Sequence, residues 1–175
     1  RILKDMGCDA IRTAHNMPST MQMEVCDSMG MMVMAESFDM WLYPKCKNGY
    51  ALHFRDWAER EMTNLILCHR NHPSIVMWSI GNEIPEQWSV QGRQLSRWLQ
   101  DICHRLDPTR PVTQGMDKAE ASLKSGFAQV MDVAGFNYRV HKFDQSISQL
   151  PQKVLLGSES ASTVSSRGVY DISCS

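Results

Sequence analysis

No stretch of this sequence approaches the ~18 consecutive apolar residues that a membrane-spanning helix requires. Charge of one sign is also missing: the formal net charge is -1, which gives no electrostatic reason to expect nucleic acid or an anionic membrane as partner. Among the six cysteines, at 8, 26, 46, 68, 103 and 174, there is no C-x-x-C pair. Their spacing suggests neither a disulfide framework nor a zinc site, so most are expected to be buried free thiols. Cys68-His69-x-x-His72 and Cys103-His104 do not have finger spacing, and no metal site is assigned to them. A glycine-rich fingerprint or P-loop pattern is absent after the first strand, which removes support for a nucleotide site of the doubly wound kind.

What is present is a 175-residue chain of ordinary globular composition, 43% hydrophobic and 21% charged, long enough for one domain with a real core. Thirteen methionines read as core filler. The opening residues, Arg1 to Gly7, read as the last turns of a helix with Gly7 as its stop. The chain is therefore expected to begin in the middle of a structure.

Short apolar runs then alternate with helical patterns. Strands are expected at Asp9–Thr13, Met31–Ala35, Ser74–Ile80, Pro111–Gln114, Val130–Phe136 and Lys153–Leu156. Ser19 and Gln22 fit a capping box, with Met21, Val25 and Met29 lining one apolar face of the helix that Gly30 ends. Phe54, Trp57, Ala58, Met62, Leu65 and Ile66 stripe a second helix. A third carries Leu95, Trp98, Leu99, Ile102, Cys103 and Leu106, and both tryptophans read as core. Lys118–Ser125 and Phe143–Leu150 are further helices.

Near-continuous apolar strands alternating with helices imply a parallel sheet covered by helices. The later strand starts lie about twenty residues apart, the length of one βα unit. Polar residues collect where the strands end: Arg12 and His15, Glu36 and Asp39, Asn82 and Glu83, Asn137 to Arg139, Ser158 to Ser160. Barrel enzymes build their sites in this way. Glu83 and Glu159 end buried strands with no basic neighbour in sequence. Two facing carboxyl groups about 5–5.5 Å apart are the requirement for glycoside hydrolysis with retention. Glu36 and Asp39 either lie at the site rim or are ordinary solvated loop acids, and Trp41 and Trp88 either stack on a sugar face or pack beneath a loop.

Four segments, Ala10-Ile-Arg-Thr-Ala-His-Asn16, Trp78-Ser-Ile-Gly-Asn-Glu83, Gly135-Phe-Asn-Tyr138 and Gly157-Ser-Glu-Ser-Ala-Ser162, closely resemble glycoside hydrolase family 2. This is the family of β-galactosidases, β-glucuronidases and β-mannosidases, and Ser158–Tyr170 looks most like its β-galactosidase members. The resemblance implies an incomplete TIM (β/α)8 barrel holding strands 2 to 7, an internal fragment (residues 1–175) of a larger multidomain glycosidase. It implies that Glu83 is the general acid/base and Glu159 the nucleophile. It further implies that Arg12 pairs with the nucleophile, that Tyr138 donates a hydrogen bond to it, that Asn82 holds the sugar 2-hydroxyl, and that His15 touches the sugar ring. A carbohydrate substrate is expected and no cofactor. The alternatives are a sister specificity (β-glucuronidase or β-mannosidase) and a non-catalytic carbohydrate-binding barrel.

Overall fold

The computed structural model describes residues 1–161. The motif stretch beyond Ala161 and Cys174 lie outside the described residues. Six strands, β1 (Ala10–Arg12), β2 (Met32–Glu36), β3 (Ile75–Asn82), β4 (Val112–Met116), β5 (Ala134–Asn137) and β6 (Leu155–Glu159), form one sheet in sequence order. Every neighbouring pair is parallel. Strand order equal to chain order is what repeated right-handed βα units produce, and it gives the curled six-stranded arc of an incomplete TIM barrel.

The helices follow the strands as α1 (Ile2–Asp5), α2 (Thr20–Met29), α3 (Phe54–His69), α4 (Val90–Leu106), α5 (Ala119–Ser125) and α6 (Phe143–Gln149), with α1 preceding β1. Ser19 caps α2 by accepting the Gln22 N–H, 3.2 Å, and Gly30 ends it in the left-handed conformation that favours glycine. Ser89 caps α4 in the same way through the Gly92 N–H, 2.9 Å. The core lies between the sheet and the helices. Val33, Ala35, Trp78, Ile80, Val112, Ala134 and Phe136 of the strands meet Met62, Leu65, Ile66, Leu99 and Ile102 of α3 and α4.

Several expectations need correction. On α2 the buried residues are Met23 and Cys26, whereas Met21 is 73% and Val25 48% exposed. Two stripes at helical spacing compete there, and the methionine-rich sequence does not distinguish them. Trp57 is 43% exposed, with the Arg60 guanidinium 4.9 Å from its ring, whereas Trp98, half-buried, does pack against the core. Residues 130–133 precede the strand rather than belong to it, because Ala128–Val130 is a 3₁₀ turn. Of the five described cysteines only Cys26 and Cys103 are buried; Cys8 is half-buried, and Cys46 and Cys68 are exposed. His69 Nε2 lies 3.0 Å from the Pro18 carbonyl, His72 Nδ1 2.6 Å from Asp27 and His104 Nε2 2.7 Å from Asp132. Each of these imidazoles therefore has a partner of its own.

Candidate active site

The carboxyl ends of the strands converge on one network. β1 delivers Arg12, whose guanidinium serves two carboxylates. Nη1 donates to Glu159 Oε1 at 2.8 Å, and Nε donates to Glu36 Oε2 at 2.8 Å. Nη2 reaches Asn82 Oδ1 at 2.9 Å. Glu159, which ends β6, accepts a second strong bond on its other oxygen, from the Tyr138 hydroxyl at 2.6 Å. A guanidinium on one oxygen and a phenol on the other fix the orientation of this carboxyl group by two strong hydrogen bonds.

Glu83 enters the same network from β3. Its Oε1 accepts from Asn137 Nδ2 at 2.9 Å, and that nitrogen also lies 2.9 Å from Asn82 Oδ1. Asn137 is in turn fixed by the Ser158 hydroxyl, 2.7 Å from its Oδ1. Registration puts these groups together, since Asn137 pairs with Glu159 and Asn82 with Gly115 across the sheet. Gly115 is required by the crowding. A Cβ there would stand 2.7 Å from Asn137 Oδ1, 2.8 Å from Arg12 Nη2 and 3.1 Å from Asn82 Oδ1.

The backbone is unusual at the same places. Glu83, Tyr138 and Arg139 have φ of 44°, 56° and 48°, left-handed conformations that disfavour an L side chain by about 1 kcal/mol each. The Glu83 N–H donates to the Gly115 carbonyl at 2.7 Å and the Tyr138 N–H donates to the Glu159 carbonyl, which holds the turns in place.

The long connection after β2 adds a charged pair. Asp39 Oδ1 accepts from Asn82 Nδ2 and from Lys45 Nζ, each at 2.9 Å, and Lys45 also donates to the Asn82 carbonyl at 2.8 Å. Burial acts to raise the Asp39 carboxyl, but the bonds from Asn82 and Lys45 outweigh it and hold the carboxyl below its ordinary value. His15 follows β1 and presents Nδ1 to Glu36 Oε1 at 2.7 Å, while Nε2 lies 3.8 Å from Glu159. The hydrogen bond to Glu36 raises the proton affinity of the ring against the opposing effect of burial.

All six residues expected at the site, Glu83, Glu159, Arg12, His15, Asn82 and Tyr138, thus lie in one hydrogen-bonded cluster. Four further members belong to it: Glu36 and Asn137, which the sequence marks only as polar residues at strand ends, and Lys45 and Gly115, which carry no signal that sets them apart. Asn137 sits within a motif segment, and its burial is the only feature that singles it out. Glu36 is not a rim acid, because it has no exposed surface at all. Trp41 is fully buried with its Nε1 donating to the Ile80 carbonyl at 3.0 Å, so it packs beneath the loop; Trp88 is 64% exposed. Among the described residues no group of three or more His, Cys, Asp or Glu side chains has the arrangement to hold a metal ion.

Comparison with known proteins gives this arrangement a context. A β-galactosidase of Bacteroides ovatus is 36% identical over 97% of the chain, which spans 24% of that protein's length. A crystal structure of a glycosyl hydrolase family 2 member from Bacteroides cellulosilyticus superposes with a TM-score of 0.83 at 35% identity, covering 88% of this chain and 20% of that one. The β-D-glucuronidase of Dictyoglomus thermophilum superposes at 0.66 with 28% identity, over 82% of this chain and 26% of that one. The family model for the TIM barrel domain of the family 2 glycosyl hydrolases matches residues 1–170, and the chain belongs to that family.

Proposed function

We propose that this chain carries the catalytic centre of a retaining exo-β-glycosidase, most simply a β-galactosidase, and forms the barrel part of a longer multidomain enzyme. The observation that supports it best is the joint state of the two carboxylates. Glu159 is gripped by Arg12 and Tyr138 while Glu83, at the same end of the sheet, is tied to it through Asn137, Asn82 and Arg12.

In this reading the Glu159 carboxylate attacks the anomeric carbon as Glu83 gives its proton to the departing glycosidic oxygen. A covalent glycosyl-enzyme results. Glu83, now a base, removes a proton from water, and that water attacks the same carbon and releases the sugar with its original configuration. One Nδ2–H of Asn82 is taken by Asp39. The other faces His15 Nε2 at 3.4 Å, a long contact that the sugar 2-hydroxyl would replace with a bond that strengthens in the oxocarbenium-like transition state. Asp39 and Lys45 flank the same amide and are suited to further hydroxyl groups of a neutral sugar. The Bacteroides ovatus relative's name favours galactosides, and the Dictyoglomus thermophilum neighbour's name favours β-glucuronides as the second reading.

The test uses the full polypeptide that carries this domain. Glu159→Gln should abolish turnover of every substrate. Glu83→Gln should lose about 10²–10⁴-fold on alkyl β-galactosides and far less on aryl galactosides, whose phenolate departs without a proton. Azide should restore Glu83→Gln by giving a β-glycosyl azide. Equal behaviour of the two variants toward activated and unactivated substrates would refute the separate roles, and faster turnover of β-glucuronides would move the specificity to the second reading.

A further inference from the structure

We infer that Glu36 is a positioning residue of this reaction: it divides Arg12 with the nucleophile and fixes the His15 ring that faces the same carboxylate. The inference rests on Glu159 being the nucleophile. Glu36 closes β2 with no exposed surface, and each of its oxygens is engaged. Oε2 accepts from Arg12 Nε at 2.8 Å and from the Ser79 hydroxyl at 2.5 Å, and it lies 2.7 Å from Arg12 Nη2. Oε1 lies 2.7 Å from His15 Nδ1. Its backbone N–H donates to Thr13 Oγ1 at 3.0 Å.

A carboxylate is costly to bury, and this one is not needed to neutralise Arg12, because Glu159 already does so at 2.8 Å. The second acid therefore changes what the first one receives. With two carboxylates on one guanidinium, Arg12 is gripped along its Nε–Nη2 edge and only Nη1 is left for Glu159. The nucleophile is held in line without the whole of the positive charge drawing on its electron pair. His15 is aimed by the same residue: with Nδ1–H given to Glu36, Nε2 is turned toward Glu159 Oε1, 3.8 Å away, and Asn82 Nδ2, 3.4 Å away. Among the described residues, the other charged or titratable groups tied to Glu159 are the Tyr138 hydroxyl, bonded directly, and Glu83, Asp39 and Lys45, linked through Asn137 and Asn82.

Glu36→Gln and Glu36→Asp in the full polypeptide test this, with kcat, KM and the pH profile measured on an aryl β-galactoside. Glu36→Gln, folded by near-ultraviolet circular dichroism, should lower kcat by about tenfold to a hundredfold with little change in KM. Removing its negative charge makes proton uptake by its neighbours harder, so the acid limb of kcat/KM should move about one pH unit lower. Glu36→Asp keeps the charge and should leave that limb in place while restoring much of kcat. A folded Glu36→Gln with parental kcat and limb overturns the inference. So does a loss shared equally by both variants with the limb unmoved, which would mark Glu36 as packing alone. Should Glu36→Gln not fold, ¹⁵N chemical shifts of His15 in the unaltered protein decide. Protonation at Nδ1 with a midpoint above the ordinary 6.5 supports the inference, and a midpoint at or below it refutes it. Full activity in Glu159→Gln would instead defeat the glycosidase reading itself, whereas an inactive Glu159→Gln beside a parental Glu36→Gln would defeat only the role of Glu36.

Discussion

Asp107, just past α4, is a buried carboxyl on which a tryptophan, an arginine and a turn depend. Its Oδ2 accepts from Trp78 Nε1 at 3.0 Å and from Arg110 Nη1 at 2.6 Å, while Oδ1 accepts from the Thr109 hydroxyl at 2.5 Å. Burial works to raise this carboxyl, but the bonds from Thr109, Arg110 and Trp78 prevail and pull it down to about 2. A depressed carboxyl contributes stability that is fully present above its unfolded value and is lost as pH falls through the folded one. The window is therefore from about pH 4 to about pH 2, and the contribution about 2 kcal/mol. Asp107→Ala should weaken amide-exchange protection in β3 by about 3 kcal/mol at pH 7, because the Arg110 charge and the indole N–H lose their partner. The deficit relative to the parent should shrink below pH 4. An acid-independent deficit would show that packing, not charge, is what Asp107 supplies. The same kind of partnership explains which site residues were legible. Arg12, Asn82, Glu83, Tyr138 and Glu159 announce themselves by ending strands within recognisable segments. Glu36 also ends a strand, but nothing local reveals that the groups facing it are Arg12 and His15, more than twenty positions away in sequence. Lys45 sits in a loop whose composition signals only exposure, and the bond to the Asn82 carbonyl is a tertiary event.

Strands of this sheet are spaced by what stands between their backbones, and Gly135 of β5 is the tightest case. A Cβ at Gly135 would run into the Gln114 carbonyl of β4 and stand 2.8 Å from Thr113 Oγ1. Backbone cannot retreat as a side chain can, so overpacking of this kind destabilises by about 1–3 kcal/mol. Gly135→Ala should therefore loosen the β4–β5 pairing, read as faster amide exchange in both strands. Gly157→Ala on β6 is the matched control. There the nearest atoms are Ser160 Oγ at 3.1 Å and the Phe143 ring at 3.4 Å, side chains that can shift, and the effect should be smaller. Equal effects at the two positions would mean that strand propensity rather than close approach governs the exchange. Element positions were legible where a single apolar stripe or run was unambiguous, as in α3, α4 and β3. They were not where two stripes competed, as with Met23 and Cys26 against Met21 and Val25 in α2. At Val130, an apolar residue in a 3₁₀ turn imitated the start of β5.

At the scale of the whole molecule, the class of the sheet follows from strands apolar on both faces, and parallel order follows from the helices between them. The curl that brings Arg12 of β1 onto Glu159 of β6 does not follow from any local pattern, because it accumulates from the twist of each pair. That contact spans the arc between its two outer strands. Yet β1 pairs only with β2, and β6 only with β5, among the described residues. Each outer strand therefore presents a row of unpaired N–H and C=O groups, the arrangement that templates association with another chain. Ile2, Leu3 and Met6 next to β1 are 69%, 46% and 65% exposed, which adds apolar surface beside one of those edges. Expressed alone, the 175-residue chain should sediment as concentration-dependent oligomers and bind an apolar dye. The Arg12–Glu159 bridge should also be weaker in isolation, since among the described residues the ends of the arc meet only through Arg12, on Glu159 and the Ser158 carbonyl, and His15 beside Glu159. On the proposed function, turnover of an aryl β-galactoside should fall at least about a hundredfold below that of the full polypeptide. Fusing this chain to the sequence that flanks it in the full polypeptide should restore both a single sedimenting species and turnover together. A monodisperse monomer with undiminished turnover would show instead that the six-stranded arc is self-sufficient and that the Arg12 and His15 contacts are enough to hold the site closed.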